Sequence, residues 1–340
     1  MAVDFLAVSR EKRDLTYAEI YKHIPDKEPK GHYDAVREYP LRKGKGIRPT
    51  FLLLACEAWG GDPAKALKTA AAMQLSEDWL LVHDDFEDHS DERRGKPALQ
   101  KIYGDEIAVN AGDALHLLQW KVLSENFGIL DEKTIKRVFD KMCSILLTTA
   151  EGQFIEMDAI RKQKMNFTEE DFYRIADGKA GWYTVIGPIQ LGAIIAGADD
   201  KTLDKIAEVG LPAGRAFQIQ DDVLNVAGDV KKYGKEIGGD ILEGKRTLMF
   251  AHLMKNCTPD ERRRVAEIYS KRREDKTEDE KMFVIKLMKK TGSIEYARQK
   301  SREFAETAKK AMNKHFSKLP GAQARDALLA GLEFIVSRDH

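Results

Sequence analysis

The sequence predicts an all-α protein. Prolines are few, 10 in 340 residues. Long segments are rich in Ala, Leu, Ile, Glu and Lys, which lose little conformational freedom in a helix. No segment alternates apolar and polar residues well enough to beat its reading at helical spacing.

The first 40 residues place Phe5, Leu6, Leu15, Tyr17, Ile20 and Tyr21 at spacings that predict a short amphipathic helix ending before Pro25. Gly44-Lys45-Gly46-Ile47-Arg48-Pro49 reads as a loop, and its proline suits the first turn of the helix that follows. That apolar run, Phe51 to Trp59, stops at Gly60-Gly61. Asp62-Pro63 opens the next helix. Ala108 to Trp120 is helical, and the small residues of Ala111-Gly112-Asp113 allow a neighbour to approach closely. Asp131-Glu132 caps a helix running to Ile160, which carries Gln153 and Glu156. Thr168 and Asp171 form an imperfect capping box for a helix carrying Lys179-Ala180-Gly181. Val185 to Ala198 is a buried helix, too short and too interrupted to span a membrane. Leu211 to Val226 is helical and leads into a loop with Gly228, Gly234, Gly238 and Gly239. Residues 255–281 mix both charges at helical spacing, which predicts a solvated helix pair. Ala297 to Phe316 and Ala322 to Val336 follow, split by Leu319-Pro320-Gly321.

Composition bounds the function. Basic and acidic residues balance, 56 against 56, so no global field recruits nucleic acid or an anionic membrane. Any anion site is local. The widely spaced Cys56, Cys143 and Cys257 have no metal-ligand spacing and point to a reduced, cytoplasmic protein. No charged-then-apolar leader follows Met1.

The chemistry concentrates between Trp79 and Pro97. An apolar run ends in Asp84, Asp85 and Asp88, followed by Arg93, Arg94 and Gly95. On a helix Asp84 and Asp88 lie one turn apart on one face, where like charges repel. Stacked carboxylates there ask for a hard cation such as Mg²⁺, and nearby arginines suit phosphate oxygens. Acid pairs are common on surfaces, so this motif alone reads better as a solvated helix end. A second copy makes the difference. Phe217-Gln218-Ile219-Gln220-Asp221-Asp222-Val223-Leu224-Asn225 repeats the layout, with Lys235, Asp240 and Lys245 beyond it.

With Gly44 to Pro49, Ala111 to Asp113, Glu151-Gly152-Gln153, Lys179 and Gly239 to Thr247, these pieces stand in an order that resembles the trans-isoprenyl diphosphate synthases. The resemblance is nearest to archaeal-type geranylgeranyl diphosphate synthases. It implies a single prenyltransferase domain over residues 1–340, a bundle of ten or more helices around a central cavity, and a homodimer. It also implies Mg²⁺, three ions with diphosphate bound. The activity implied is head-to-tail condensation of isopentenyl diphosphate with an allylic diphosphate.

Carried over residue by residue, the resemblance gives the metal to Asp84, Asp88 and Asp221, with Asp85 and Asp222 as further ligands or outer partners. Arg93, Lys179, Lys235 and Lys245 face the allylic diphosphate, with Gln218 beside it. Lys45, Arg48 and Arg94 hold isopentenyl diphosphate. The released pyrophosphate accepts the proton, so no His or Ser base is required. His83, a lone histidine beside acids, reads as a helix residue packed or hydrogen-bonded near the site rather than a metal ligand.

Four positions depart from the family. Glu77 stands where His or Gln is common, and its carboxylate repels a diphosphate unless protonated or paired, for example with Lys45 or Arg94. Gly46 removes one possible contact, Ala180 lacks a hydroxyl, and Asn225 replaces an acid. Trp79 and Leu80 lie roughly 6–8 Å down the helix from Asp84, where a bulky Trp79 reads as a floor; an aromatic five residues before the first acid and none at four resembles the archaeal-type geranylgeranyl pattern, which implies a C20 product. A farnesyl or longer product, a class I terpene cyclase and a catalytically weak subunit of a hetero-oligomer remain the alternatives. In the bland reading Trp79 packs in the core and says nothing about product.

Overall fold

The computed structural model describes residues 3–228 and 237–336. Among them helices dominate, more than ten in number, and the one sheet is a two-residue ribbon. The chain divides into two compact units, each built from separated segments.

The first unit takes residues 1–143, 187–204 and 316–331. Helix α1 (Phe5–Tyr21) starts at Asp4, whose carboxylate accepts from Ala7 N–H at 3.1 Å. Helix α2 (Lys30–Arg42) precedes α3 (Ile47–Ala58), whose Phe51, Leu52, Leu53, Leu54, Ala55 and Cys56 are buried. Each large side chain buried there contributes about 1.5–3 kcal/mol. Helix α4 (Pro63–Glu87) opens as expected, with Asp62 capping and Pro63 in the first turn. A fully buried alanine stripe, Ala66, Ala70, Ala71 and Ala72, lets neighbours close on it. After α4 come β1 (Glu92–Arg93), β2 (Lys96–Pro97), α5 (Leu99–Tyr103) and α6 (Asp105–Ser124). Gly112 on α6 meets the His83 ring of α4, and an added Cβ there would overlap that ring. The small-residue motif therefore does what its composition predicts.

Helix α7 (Glu132–Arg161) begins in the first unit, where Asp131 accepts from Thr134 N–H and O–H at 3.0 and 2.7 Å. Farther along the chain, Gly192 of α9 (Gly187–Ile195) lies against the backbone of α3, leaving no room for a Cβ.

The second unit takes residues 144–186, 205–315 and 332–340. Helix α8 (Glu169–Ala176) carries the complete Thr168–Asp171 capping box. It does not continue as an α-helix to Lys179. Asp177–Ile186 is a π-helix, a widened turn of the kind found near functional sites. Its glycines make the close approaches: a Cβ on Gly214 would collide with Gly181, and Gly178 lies over Gly152.

Helix α10 (Asp200–Ala227) starts well before Leu211. It runs through Pro212, which removes one ladder hydrogen bond and hides the true start from sequence reading. Beyond it lie α11 (Gly239–Glu243), α12 (Leu248–Asn256), α13 (Pro259–Ser270), α14 (Glu278–Lys290), α15 (Ser293–Phe316) and α16 (Ala322–Val336), whose residues 322–331 belong to the first unit. Capping boxes Thr258–Glu261 and Thr277–Glu280 start α13 and α14, which, contrary to expectation, are not wholly solvated: Val265, Ile268 and Tyr269 of α13 and Val284, Ile285, Leu287 and Met288 of α14 are buried. Phe172, Ile219, Val223, Met249, Phe250, Val265 and Val284 belong to this unit's core.

Candidate functional site

The first unit presents a carboxylate pair. Asp84 lies in the last turn of α4 and Asp88 caps it, donating its N–H to the Asp84 carbonyl at 2.8 Å. Both side chains are half-buried. Asp85, between them, is fully buried. Its oxygens accept from Arg93 Nε at 2.9 and 3.0 Å, from Arg93 Nη2 and from the Tyr39 hydroxyl. Asp85 is thus committed to Arg93 and Tyr39.

The arginines owe their positions to a tight turn. Arg94 and Gly95 have φ of 56° and 72°, the left-handed pair of a two-residue hairpin. Arg42 ties the ribbon down, donating through Nη1 to the carbonyls of Arg93 and Pro97 at 3.1 and 2.8 Å. Arg93 turns onto Asp85 and lies 3.5 Å from Asp84. Arg94 turns the other way, onto Asp78 at 2.9 Å and the Tyr39 carbonyl at 2.7 Å.

Arg48 is not in a loop: α3 begins at Ile47, so it occupies that helix's first turn. Its Nη1 lies 3.1 Å from Glu77 Oε2. Arg94 lies 3.8 Å from the other Glu77 oxygen. Glu77 is therefore paired, chiefly by Arg48. Burial opposes its charge, but Arg48 and then Arg94 outweigh that and hold the carboxyl below its ordinary value. Asp78, fully buried beside it, is pushed up to about 7 by burial, with Arg94 opposing and Glu77 adding to the rise. Gly44 lies against Arg94 and Glu77 and donates its N–H to the Tyr17 hydroxyl at 2.7 Å. Ser9 donates to the Lys45 carbonyl at 3.3 Å. Gly46 explains its own departure. Its φ is 67°, and a Cβ would press on the Arg13 side chain at 2.7 Å.

Trp79 is half-buried and pinned. Its indole N–H donates to Gln119 Oε1 at 2.6 Å, and its ring lies 4.7 Å from that of His116. Leu80 is likewise half-buried. His83 lies 3.6 Å from Asp113 and against Gly112, with its Nε2 3.5 Å from the Val109 carbonyl.

In the second unit, α10 carries Gln218, Asp221 and Asp222, with Gln218 donating to Asp222 at 2.8 Å. Asp222 is buried and held well above the usual carboxylate range, by burial and then by Asp240, with Asp221 and Glu156 adding to it. Crowded carboxylates of this kind fit a divalent cation, whose charge would relieve them. Asn225 accepts the Asp240 N–H at 3.2 Å, a use for an uncharged amide that spacing alone does not reveal. Lys179 stands on the π-helix, 2.5 Å from Glu156, and Ala180 is buried. Lys245 is 2.8 Å from Glu243. Lys235 lies outside the described residues.

Sequence reading missed one cluster of ligand-like groups. Glu19, His23 and Glu125 place three donor atoms within 4.8 Å of one another. Lys68 Nζ sits among them, at 2.5 Å from Glu19, 2.7 Å from Glu125 and 3.3 Å from His23. The lysine already supplies the cation, so the group ties α1 and α4 together.

Among the described residues no helix is long and apolar enough to cross a membrane. Residues 30–288 match the polyprenyl synthetase family model. The chain is 30% identical over 334 residues to the geranylgeranyl pyrophosphate synthase of Geoglobus acetivorans, covering 98% of this chain and 99% of that one. It is 29% identical over 340 residues to the short chain isoprenyl diphosphate synthase of Methanothermobacter thermautotrophicus, covering 99% and 100%. The geranylgeranyl pyrophosphate synthetase structure from Pyrococcus horikoshii superposes with a TM-score of 0.87 at 33% identity, covering 99% of both chains. With the helical fold and both aspartate motifs in place, the chain belongs to the polyprenyl synthetase family and is a prenyltransferase.

Proposed function

We propose that this prenyltransferase extends allylic diphosphates with isopentenyl diphosphate, head to tail, and stops at geranylgeranyl diphosphate. The observation that carries the C20 product is the pinned Trp79, one and a half helical turns below Asp84 and held by Gln119 and His116. A side chain fixed at both its ring and its N–H makes a firm floor. Likeness over the whole chain to proteins bearing the geranylgeranyl name supports the reading.

Asp84, Asp88 and Asp221 would hold Mg²⁺, three ions with diphosphate bound. When bound, the metal neutralises charge on the departing pyrophosphate. Asp85 keeps Arg93 oriented, and Asp222 supports Asp221. Arg93, Lys179, Lys235 and Lys245 bind the allylic diphosphate, with Gln218 beside them. Lys45, Arg48 and Arg94 hold isopentenyl diphosphate with its double bond toward the carbocation, a positioning effect that is itself a large catalytic contribution. The released pyrophosphate takes the proton, and apolar walls keep water from the cation.

The 340 residues act as one prenyltransferase domain, a reading supported by a family match that draws on both units. The chain works as a homodimer. Ile107 and Leu117 on α6, with Phe127 and Ile129 just beyond, expose large apolar surface that a second copy would cover. The three unbridged cysteines agree with a cytoplasmic setting. Incubation with Mg²⁺, isopentenyl diphosphate and one of dimethylallyl, geranyl or farnesyl diphosphate, with products sized by mass spectrometry, tests the activity. Light scattering tests the dimer.

A further inference from the structure

The guanidinium groups assigned to isopentenyl diphosphate already hold anions of the protein's own. Arg48 faces Glu77 at 3.1 Å, and Arg94 faces Asp78 at 2.9 Å and Glu77 at 3.8 Å. The two differ in kind. Asp78 is completely buried against Arg94. The Glu77 side chain keeps 14% of its surface exposed and Arg48 keeps 19%, so this pair lies at the edge of the cluster. A phosphate that reaches Arg48, the more exposed partner, finds the guanidinium already facing the Glu77 carboxylate. A carboxylate and a phosphate make the same charge-assisted contacts to a guanidinium and cannot both saturate one face of it.

We propose that Glu77 is a built-in counter-anion that competes with the diphosphate of the second substrate for Arg48 and so sets the affinity for isopentenyl diphosphate. The inference rests on the assignment of Arg48 and Arg94 to that substrate. Glu77 acts through Arg48 and is a positioning residue. Its carboxylate keeps Arg48 in place while the site is empty and yields when diphosphate arrives. Removing the competitor frees one charge-assisted hydrogen bond, which corresponds to roughly a 10- to 100-fold change in affinity.

Steady-state kinetics on Glu77→Gln decide it, with isopentenyl and allylic diphosphate varied in turn. The expected result is a KM for isopentenyl diphosphate at least about tenfold lower, with the allylic KM within about twofold. An unchanged or raised KM for isopentenyl diphosphate overturns the inference and makes Glu77 a support that Arg48 needs. Glu77→Asp retains the charge but withdraws it by one methylene, and a smaller fall in the same KM is expected. This variant carries the test should Glu77→Gln fail to fold, and an unchanged or raised KM overturns the inference here too. Arg48→Ala separates the two levels. A raised isopentenyl KM there, with no fall in Glu77→Gln, rejects only the counter-anion. No effect of Arg48→Ala on that KM rejects the assignment of the site itself.

Discussion

Asp85, fully buried, receives the half-buried Arg93 guanidinium on both carboxylate oxygens, while Asp84, one residue earlier, is itself half-buried and lies 3.5 Å from the same arginine. Neighbouring acids of one motif therefore have different duties. Asp84→Ala is expected to lower kcat by about 100-fold or more, with little change in unfolding by urea. Asp85→Ala leaves Arg93 and the Tyr39 hydroxyl without their partner and is expected to cost about 3–5 kcal/mol in the same unfolding experiment. Equal stability losses in the two variants would contradict this division.

Asp78 gives the protein a pH signature. Its carboxyl is raised to about 7 from an ordinary value of 3.8, burial being the main cause. Between those values the folded state binds a proton that the unfolded state has released, so stability falls as pH rises from 4 to 7 and then levels. Asp78→Asn removes that proton equilibrium. The stability of wild type relative to Asp78→Asn is expected to drop by roughly 2–4 kcal/mol between pH 4 and 7. Urea unfolding of both proteins across that range checks it, and a difference that stays flat or grows with pH would contradict it.

Trp79 is held rather than merely packed. Trp79→Ser is expected to lengthen products by one or more isoprene units. Gln119→Leu, which removes only the acceptor of the indole N–H, is expected to give a mixture of C20 and longer products. Chain lengths from dephosphorylated products provide the readout, and unchanged lengths in Trp79→Ser would remove it as the floor.

Asn225 accepts the Asp240 N–H close to Asp222, which is already pushed toward its neutral form. Asn225→Asp keeps an acceptor and adds charge. Without metal the variant is expected to be less stable by about 1–3 kcal/mol. With metal it is expected to reach half-maximal activity at several-fold lower Mg²⁺ and to remain active. A strong loss of activity, or an unchanged Mg²⁺ requirement, would contradict the reading.

What was legible in the sequence follows periodicity and local chemistry. Asp84 and Asp88 fall one turn apart because a helix has 3.6 residues per turn, and nothing distant is needed to see it. The Asp62, Thr168 and Asp131 caps are equally local. The π-helix at Lys179 was not legible, since its widened turn answers to close approaches at Gly152 and Gly214, far away in the chain. The hairpin that parts Arg93 from Arg94 needed Gly95, yet only the fold tells which carboxylate each arginine finds. Glu77 was expected to need a partner such as Lys45 or Arg94. The main one is Arg48, because α3 starts early enough to bring that side chain to α4.

The most direct test of the central claim is a single reaction series. Purified protein, Mg²⁺ and isopentenyl diphosphate are combined with dimethylallyl, geranyl or farnesyl diphosphate, and the dephosphorylated products are sized by mass spectrometry. One C20 alcohol from every primer is the predicted result. A stop at C15, or C25 and beyond, would contradict the floor at Trp79, and no elongation from any primer would contradict the proposed chemistry itself.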